Sequence, residues 1–140
     1  METLHFSIEI HASKEKVWNA LWEDTNYRKW TSVFMAGSYA ESDWNEGSKI
    51  RFLSSDGNGM FSRIAKKTPH EQMVFEHLGE IKNGVEETQD WGGAKEAYFL
   101  SGNQGVTHLK VELDTNEEYA KYFSDTFPKA LAEVKNIAEN

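Results

Sequence analysis

The 140-residue sequence contains no cysteine, only two prolines and no long apolar run. Without cysteine, neither a disulfide framework nor thiolate chemistry is available to the protein. No segment approaches the roughly 20 apolar residues that a membrane-spanning helix needs, so no membrane insertion is expected. Residues 1–5 lack the charged and apolar regions of a signal peptide, and we therefore expect a soluble, cytoplasmic protein.

Positive charge is also scarce, because 15 Lys and Arg residues oppose 23 Asp and Glu residues and give a formal net charge of -8. Nucleic acids and anionic membranes bind clustered positive charge, and the sequence has no basic stripe. We therefore expect no nucleic-acid partner. The length suits a single domain spanning residues 1–140 with one core. The 8 Phe, 5 Tyr and 5 Trp residues must either pack that core or line a pocket.

The C-terminal stretch predicts the element around which the others are arranged. Apolar residues recur at steps of three and four from Tyr119 to Ile137, which predicts one long amphipathic helix beginning at Asn116. Thr115 and Glu118 have the spacing of a capping box. Pro128 removes a backbone donor and crowds the turn before it, which predicts a kink or a break near residues 124–127.

The N-terminal region predicts a strand followed by two short helices. Residues 4–10 alternate between apolar and polar side chains, as a strand with one solvated face does. Apolar residues at helical spacing predict a helix at residues 14–22 that is capped by Ser13. A second short helix follows directly, and Asp24 or Thr25 is its predicted cap.

From residue 35 onward the pattern changes to short strands separated by turns. The polar segment 80–93 is predicted to be a longer loop or an irregular edge, and Trp91 within it is interpreted either as part of a lid or partner contact or as packing on the sheet edge. Consecutive strands with short turns favour an antiparallel sheet. Strands are predicted at residues 37–44, 49–54, 60–67, 72–79, 95–101 and 106–114.

Several segments resemble a known superfamily. Residues 12–22, which read Ala-Ser-Lys-Glu-Lys-Val-Trp-Asn-Ala-Leu-Trp, are similar to the phrase that follows the first strand in START-like domains. Residues 27–31 resemble the second short helix of those domains, and residues 47–52 resemble their glycine-x-x-phenylalanine strand. Residues 127–131 resemble their tryptophan-proline-x-x-leucine turn, with Phe127 in the place of the tryptophan. The branch that the sequence resembles most is the family of heat-shock-protein-90 ATPase activator homologues, within the SRPBCC group.

This resemblance implies an α+β helix-grip fold, in which a curved antiparallel sheet of about six to seven strands wraps around the long C-terminal helix and two short helices follow strand 1. It also implies a cavity between sheet and helix that binds apolar small molecules in many members. The scaffold hosts transport, cyclase, hydrolase and co-chaperone roles, so the fold alone does not fix the function. Compared with the full co-chaperone, the sequence corresponds to one domain, and we expect no second domain to bridge a chaperone dimer.

Inward strand parity and the resemblance together predict a set of ligand-contacting residues. Within this set His77 is the candidate polar anchor, because it is the histidine expected to point inward. The aromatic residues of the long helix are open to two interpretations: they are ordinary core, or they line a pocket that other side chains leave unfilled. The full set is Trp44, Phe52, Phe75, His77, Tyr98, Tyr119, Phe123 and Phe127.

Metal binding and nucleophilic catalysis have little support in the sequence. No two of the five histidines have zinc-site spacing, and we expect no metal and no other cofactor. No Gly-x-Ser-x-Gly elbow is present, and Ser38, Ser54 and Ser62 have no obvious base beside them. Glu76, Glu96 and Arg51 lie on predicted strands where acid–base pairs are conceivable, but strand carboxylates usually face water. An enzyme is therefore the minority interpretation, and no catalytic residues are assigned.

Two functional hypotheses follow from these observations. The first is a START-like domain that binds an apolar or amphipathic small molecule, such as a lipid, between the sheet and the C-terminal helix. The second is a co-chaperone-like module that contacts a chaperone ATPase through its surface, as the resemblance implies. A small cyclase or hydrolase is a third alternative. The sequence is compatible with a monomer or a homodimer.

Overall fold

A long C-terminal helix and an eight-stranded antiparallel sheet dominate the computed structural model, which describes residues 1–140. This architecture confirms the predicted helix-grip fold. The strands are β1 (Glu2–Ile10), β2 (Tyr39–Glu41), β3 (Lys49–Leu53), β4 (Gly59–Thr68), β5 (Gln72–Lys82), β6 (Val85–Thr88), β7 (Ala94–Asn103) and β8 (Val106–Thr115). The helices are α1 (Lys14–Trp22), α2 (Asp24–Thr31) and α3 (Glu117–Glu139).

The sheet has the strand order β1-β8-β7-β5-β4-β3-β2, and β6 pairs with the end of β5 outside that order. β6 is the strand that the sequence analysis missed, because it lies in the segment 80–93 that was predicted to be a loop. β5 continues to Lys82, and Asn83 and Gly84 then turn the chain back with positive φ angles of 53° and 78°. Positive φ at both central residues is typical of a tight hairpin, for which Asn-Gly is a favoured pair.

Strand β2 is much shorter than predicted. Only Tyr39–Glu41 pairs with β3, whereas the sequence predicted a strand over residues 37–44. Trp44 adopts a positive φ of 64°, which no extended strand allows, and so it lies in the loop before β3. Ser42 stabilises this loop, because its Oγ accepts a hydrogen bond from the Trp44 amide at 3.0 Å and donates one to the Lys49 carbonyl at 2.8 Å.

The helix caps agree with the sequence only in part. Ser13 caps α1 as predicted, with its Oγ accepting a hydrogen bond from the Lys16 amide at 3.2 Å. Glu23, rather than Asp24 or Thr25, caps α2, because its longer carboxylate reaches two amides of the first turn at 3.2 and 3.1 Å. The predicted capping box of α3 does not form, since Asn116 occupies the cap position without any side-chain hydrogen bond.

Helix α3 is continuous from Glu117 to Glu139, so the chain does not break near residues 124–127, where the sequence predicts a kink or a break. The ring of Pro128 is exposed, and the residues on the opposite side of the helix are buried against β1, α1 and α2. These buried residues are Phe127, Ala130, Leu131, Val134 and Ala138. None of the three helices combines the length and the apolar character that crossing a membrane requires.

The two short helices close one end of the sheet around Trp22. The ring of Trp22 lies 4.9 Å from that of Tyr98 and 5.4 Å from that of Phe75, centroid to centroid, with edge-to-face geometry in both pairs. Trp30 packs against the same cluster, and its buried indole N–H donates to the Leu21 carbonyl at 2.9 Å. Because such aromatic pairs fill space densely, these side chains form part of the hydrophobic core.

We expect truncation of the buried stripe of α3 to destabilise the protein. Leu131→Ala is predicted to lower the free energy of unfolding by about 2–5 kcal/mol, because Leu131 is 2% exposed and its loss leaves a cavity. Lys129→Ala, on the exposed face of the same helix, is the matched control, with an expected change within about 0.5 kcal/mol. Urea denaturation followed by circular dichroism measures both values. Similar losses in the two variants would contradict the assigned helix orientation.

Candidate functional site

A cavity of about 770 Å³ lies between the helix-facing side of the sheet and the N-terminal half of α3. Small-molecule sites typically measure about 300–1,000 Å³, so the volume suits a ligand. Residues of α2, β3, β4, β5, β7, β8 and α3 contribute to the wall. Met35 and Tyr119 also belong to the lining and are 58% and 50% exposed, which places the mouth of the cavity beside them.

The aromatic residues of α3 pass from the core to the mouth of this cavity. Phe127 is 2% exposed and stacks on Phe6 with ring centroids 4.8 Å apart. Phe123 is half-buried one turn earlier, and Tyr119 is exposed another turn earlier. Phe34 packs edge-on against Phe127 at 4.9 Å and joins the segment after α2 to this row. The row is therefore core at its Phe127 end and lines the open cavity at its Tyr119 end. Both interpretations of these aromatic residues, as core and as pocket lining, apply.

A buried chain of polar side chains crosses the otherwise apolar wall. Ser62 on β4 lies opposite His77 on β5, and the Ser62 Oγ is 2.7 Å from the His77 Nδ1. The His77 Nε2 is 3.0 Å from Oε1 of Glu96 on β7. The hydroxyl of Tyr98, two residues further along β7, donates a hydrogen bond to the Glu96 Oε2. Neighbouring strands present same-face side chains within reach of one another, so four polar residues become one network.

The charge of Glu96 affects the tyrosines around it. Burial raises the pKa of Tyr98 well above its usual value, and the adjacent negative charge of Glu96 and the hydrogen bond to it raise the pKa further. Burial and then the charge of Glu96 likewise raise the pKa of Tyr27, another residue of the cavity wall. Both phenols therefore keep their protons at neutral pH, and the Tyr98 hydroxyl serves as a donor to Glu96.

The residue types in this polar network match those of a serine hydrolase triad, but their placement does not suit nucleophilic attack. Ser62 is 0% exposed and does not belong to the cavity lining, so its Oγ does not reach a molecule in the cavity. Both ring nitrogens of His77 are engaged, one by Ser62 and the other by Glu96. The histidine of a working triad likewise contacts both the serine and the carboxylate, so the complete burial of Ser62 is the feature that argues against nucleophilic attack. The polar network acts as a structural and electrostatic unit in the cavity wall.

Six of the eight predicted contact residues lie in the cavity lining, while their contact with a ligand stays a prediction. Phe75 faces inward as its parity predicted, but Trp22 and Phe52 cover it at 5.4 and 5.1 Å and make it core. Trp44 lies in the loop before β3, outside the lining of the main cavity. Neither of these two residues belongs to the lining of this cavity. The six lining residues are Phe52, His77, Tyr98, Tyr119, Phe123 and Phe127.

Glu96 is the site residue that the sequence analysis set aside, because strand carboxylates were expected to face water. Glu76 follows that expectation and pairs with Arg63 at 3.3 Å on the outer face. Arg51 likewise pairs with Glu86, at 2.9 Å. Glu96 differs because it is two residues from Tyr98 on the same strand. The parity that Glu96 shares with the inward-facing Tyr98 is the sequence signal from which its direction could have been predicted.

Trp91 and the ends of α2 also contribute to the wall. Trp91 is half-buried in the turn before β7 and lines the cavity, so it is more than an edge contact of the sheet. Tyr27 and Trp30 of α2 belong to the lining as well. No group of three or more His, Asp or Glu side chains is placed to hold a metal ion.

A second, smaller cavity of about 290 Å³ lies on the other side of the aromatic cluster. Trp18, Trp22 and Trp44 line it together with Lys67 and Met73. The indole N–H of Trp22 is buried and has no hydrogen-bond partner in the protein. This cavity is where Trp44 is located, and it is separate from the polar network of the main cavity.

Comparison with known proteins relates this architecture to solved structures. A family profile described as "Activator of Hsp90 ATPase homolog 1-like protein" matches residues 11–138. The solution structure of the Aha1 dimer from Colwellia psychrerythraea is similar, with a TM-score of 0.74 and 22% identity over 99% of this chain and 97% of that chain. Among proteins of curated function, no sequence matches this chain.

Two further solved structures share the fold. ChR145 from Cytophaga hutchinsonii has a TM-score of 0.73 and 19% identity over 100% of this chain and 95% of that chain. DynU16, from the dynemicin biosynthetic locus, has a TM-score of 0.73 and 12% identity, and the match covers 100% of this chain and 48% of that chain. At these identities the structural likenesses show the fold alone.

We expect the stability of the protein to fall as the pH rises above about 10, the usual pKa of tyrosine. Above that pH the unfolded chain loses the protons of Tyr27 and Tyr98, whereas the folded chain retains them because their pKa values are raised. Spectrophotometric titration of tyrosine ionisation, in the wild type and in the Tyr98→Phe variant, tests this expectation. In guanidinium chloride, where the protein is unfolded, the variant should show one tyrosinate fewer than the wild type. In the folded state the two proteins should show the same number, because Tyr98 keeps its proton there. Loss of a signal from the folded protein near pH 10 would contradict the prediction.

Proposed function

This chain belongs to the activator of Hsp90 ATPase homolog 1-like family, and we propose that it binds an apolar or amphipathic small molecule in the cavity between the sheet and α3. The observation that carries the proposal is the cavity of about 770 Å³, whose mostly apolar wall surrounds one polar network. Concave, mainly apolar sites with a few convergent polar groups are the usual form of small-molecule sites.

The cavity walls supply the apolar part of the proposed binding energy. Phe52 and Leu113 come from the sheet, and Phe123 faces them from α3. A ligand that buries about 300 Å² of apolar surface gains roughly 7–8 kcal/mol, at about 25 cal/mol per Å². The loss of translational and rotational freedom on binding costs at least about 4 kcal/mol. The apolar contacts alone therefore give weak binding, and the polar network decides how tightly a ligand is held.

The polar network and the aromatic contacts also make the site largely preformed. Glu96, His77 and Tyr98 lie on adjacent strands of one sheet, so their positions are fixed by the strand ladders. On the opposite wall, the Tyr122 hydroxyl donates to the Phe34 carbonyl at 2.8 Å and fastens the segment after α2 to α3. A preformed site loses less conformational entropy when a ligand binds.

A second candidate function is stimulation of a chaperone ATPase. The description of the family and the Aha1 structure with a similar fold favour it. The same Aha1 structure is described as a dimer, which makes a homodimer of this chain part of that candidate. Both points are tested by measuring ATP hydrolysis by an Hsp90-type chaperone with and without this protein, and its mass by light scattering.

Filling the cavity should abolish ligand binding while the fold is retained. Ala94 lines the cavity at the start of β7, and Ala94→Phe is expected to weaken binding of the neutral dye N-phenylnaphthylamine by about tenfold or more, because the ring occupies ligand space. Ser101→Phe is the matched control, since it adds the same bulk at an exposed position of β7 outside the lining. Dye fluorescence measures binding, and circular dichroism reports the fold.

Two results would contradict the proposed binding function. One is failure of the wild-type protein to bind the dye or to retain any small molecule in native mass spectrometry. The other is unchanged dye binding by a folded Ala94→Phe variant, because the dye would then occupy a different place. Stimulation of the chaperone ATPase that is equal for wild type and this variant would favour the second candidate.

A further inference from the structure

We infer that the main cavity selects amphiphiles whose head group donates hydrogen bonds, an amine or a hydroxyl, over amphiphiles with a carboxylate head, and that Glu96 binds the head group. This inference rests on the proposed function, because it concerns a ligand in the same cavity. It goes beyond that function by naming the chemical class of the ligand and the residue that recognises it.

The first argument is the unused acceptor capacity of Glu96. Its Oε1 faces the His77 Nε2 at 3.0 Å, and its Oε2 accepts a hydrogen bond from Tyr98. A carboxylate offers about four acceptor positions, so about two are left after these contacts. The side chain is 19% exposed and belongs to the cavity lining, so the open positions are accessible to a molecule in the cavity. A partly buried carboxylate is stabilised by each donor that it gains.

The second argument is that the two donors in contact with Glu96 are already committed to it. The single hydroxyl proton of Tyr98 is directed to Glu96. The two ring nitrogens of His77 contact Ser62 and Glu96, which leaves neither nitrogen for a ligand oxygen. Placed against Glu96, a carboxylate head group would meet an acceptor, and neither Tyr98 nor His77 has a proton left to offer it. A hydroxyl or ammonium head group supplies the proton that the network lacks.

The third argument is the charge of the residues that line the cavity. Four of them are carboxylates, and the only lysine or arginine among them is Lys82. Lys82 is itself paired with Glu80, with 3.4 Å between the Nζ and the Oε2. The cavity is therefore negative, which repels an anionic head group and attracts a cationic one. The four carboxylates are Asp56, Glu80, Glu96 and Asp114.

The experiment compares three ligands that share one tail. Dodecylamine, dodecanol and dodecanoic acid are titrated against the protein loaded with N-phenylnaphthylamine, below the concentration at which each ligand forms micelles. The shared tail makes equal apolar contacts, so differences in displacement report the head group. We expect the amine to displace the dye at a concentration at least about tenfold lower than the acid, with the alcohol between them, in keeping with a charge-assisted hydrogen bond to Glu96.

Two variants assign this preference to a residue. Glu96→Gln removes the negative charge inside the cavity and is expected to reduce the ratio of amine to acid affinity by about tenfold. Glu76→Gln is the matched control, because Glu76 lies on the neighbouring strand and pairs with Arg63 on the outer face. The control makes the same change in net charge, and it should leave the affinity ratio as in the wild type.

The outcomes separate this inference from the proposed function. Binding of the acid as tightly as the amine by the wild-type protein would overturn the inference, whether or not Glu96→Gln folds. An equal change of the affinity ratio in both variants would overturn the assignment to Glu96. Displacement by all three ligands without preference would leave the proposed binding function intact, whereas absence of dye binding and of displacement by any of them would overturn both.

Discussion

The width of the sheet relative to a single helix is the constraint from which the rest of the structure follows. Neighbouring strands are spaced by about 4.8 Å, and an α-helix with its side chains measures about 10–12 Å across, so one helix covers about two strands. Helix α3 packs on β1 and on the two short helices. The cluster around Trp22 and Trp30 fills one end of the sheet. The uncovered part beside the N-terminal half of α3 becomes the cavity.

The polar network gives that uncovered surface its chemical character. A wall built only for stability would place apolar side chains at positions 62, 77 and 96, because buried polar groups cost free energy unless they are fully partnered. Here Ser62 and His77 satisfy each other, whereas Glu96 retains acceptor capacity toward the open space. Departures from a purely apolar interior are expected at functional positions, where recognition outweighs stability. The proposed ligand class follows from this one incompletely partnered carboxylate.

The cavity also explains how one family fold accommodates different roles. The backbone elements that build the cavity are those of the helix-grip fold, and residues 11–138 match the family profile. The lining, by contrast, depends on single side chains such as Glu96 and Trp91, whose identity the strand ladders do not fix. In this protein the lining combines aromatic walls with negative charge. Those two features support the binding of a small amphiphile more directly than they support a protein partner, whose contacts would lie on the outer surface.

The sequence by itself determined the order of the elements other than β6, the fold class and the burial of α3, because strand alternation and helical spacing are local patterns that backbone geometry enforces. It also contained two signals that were not used, the Asn83-Gly84 hairpin before β6 and the shared parity of Glu96 and Tyr98. Only the tertiary structure decided that Phe75 is covered by Trp22, that Trp44 leaves its strand, and that α3 stops short of covering the sheet. Those outcomes depend on contacts between residues far apart in the chain, which no local pattern specifies.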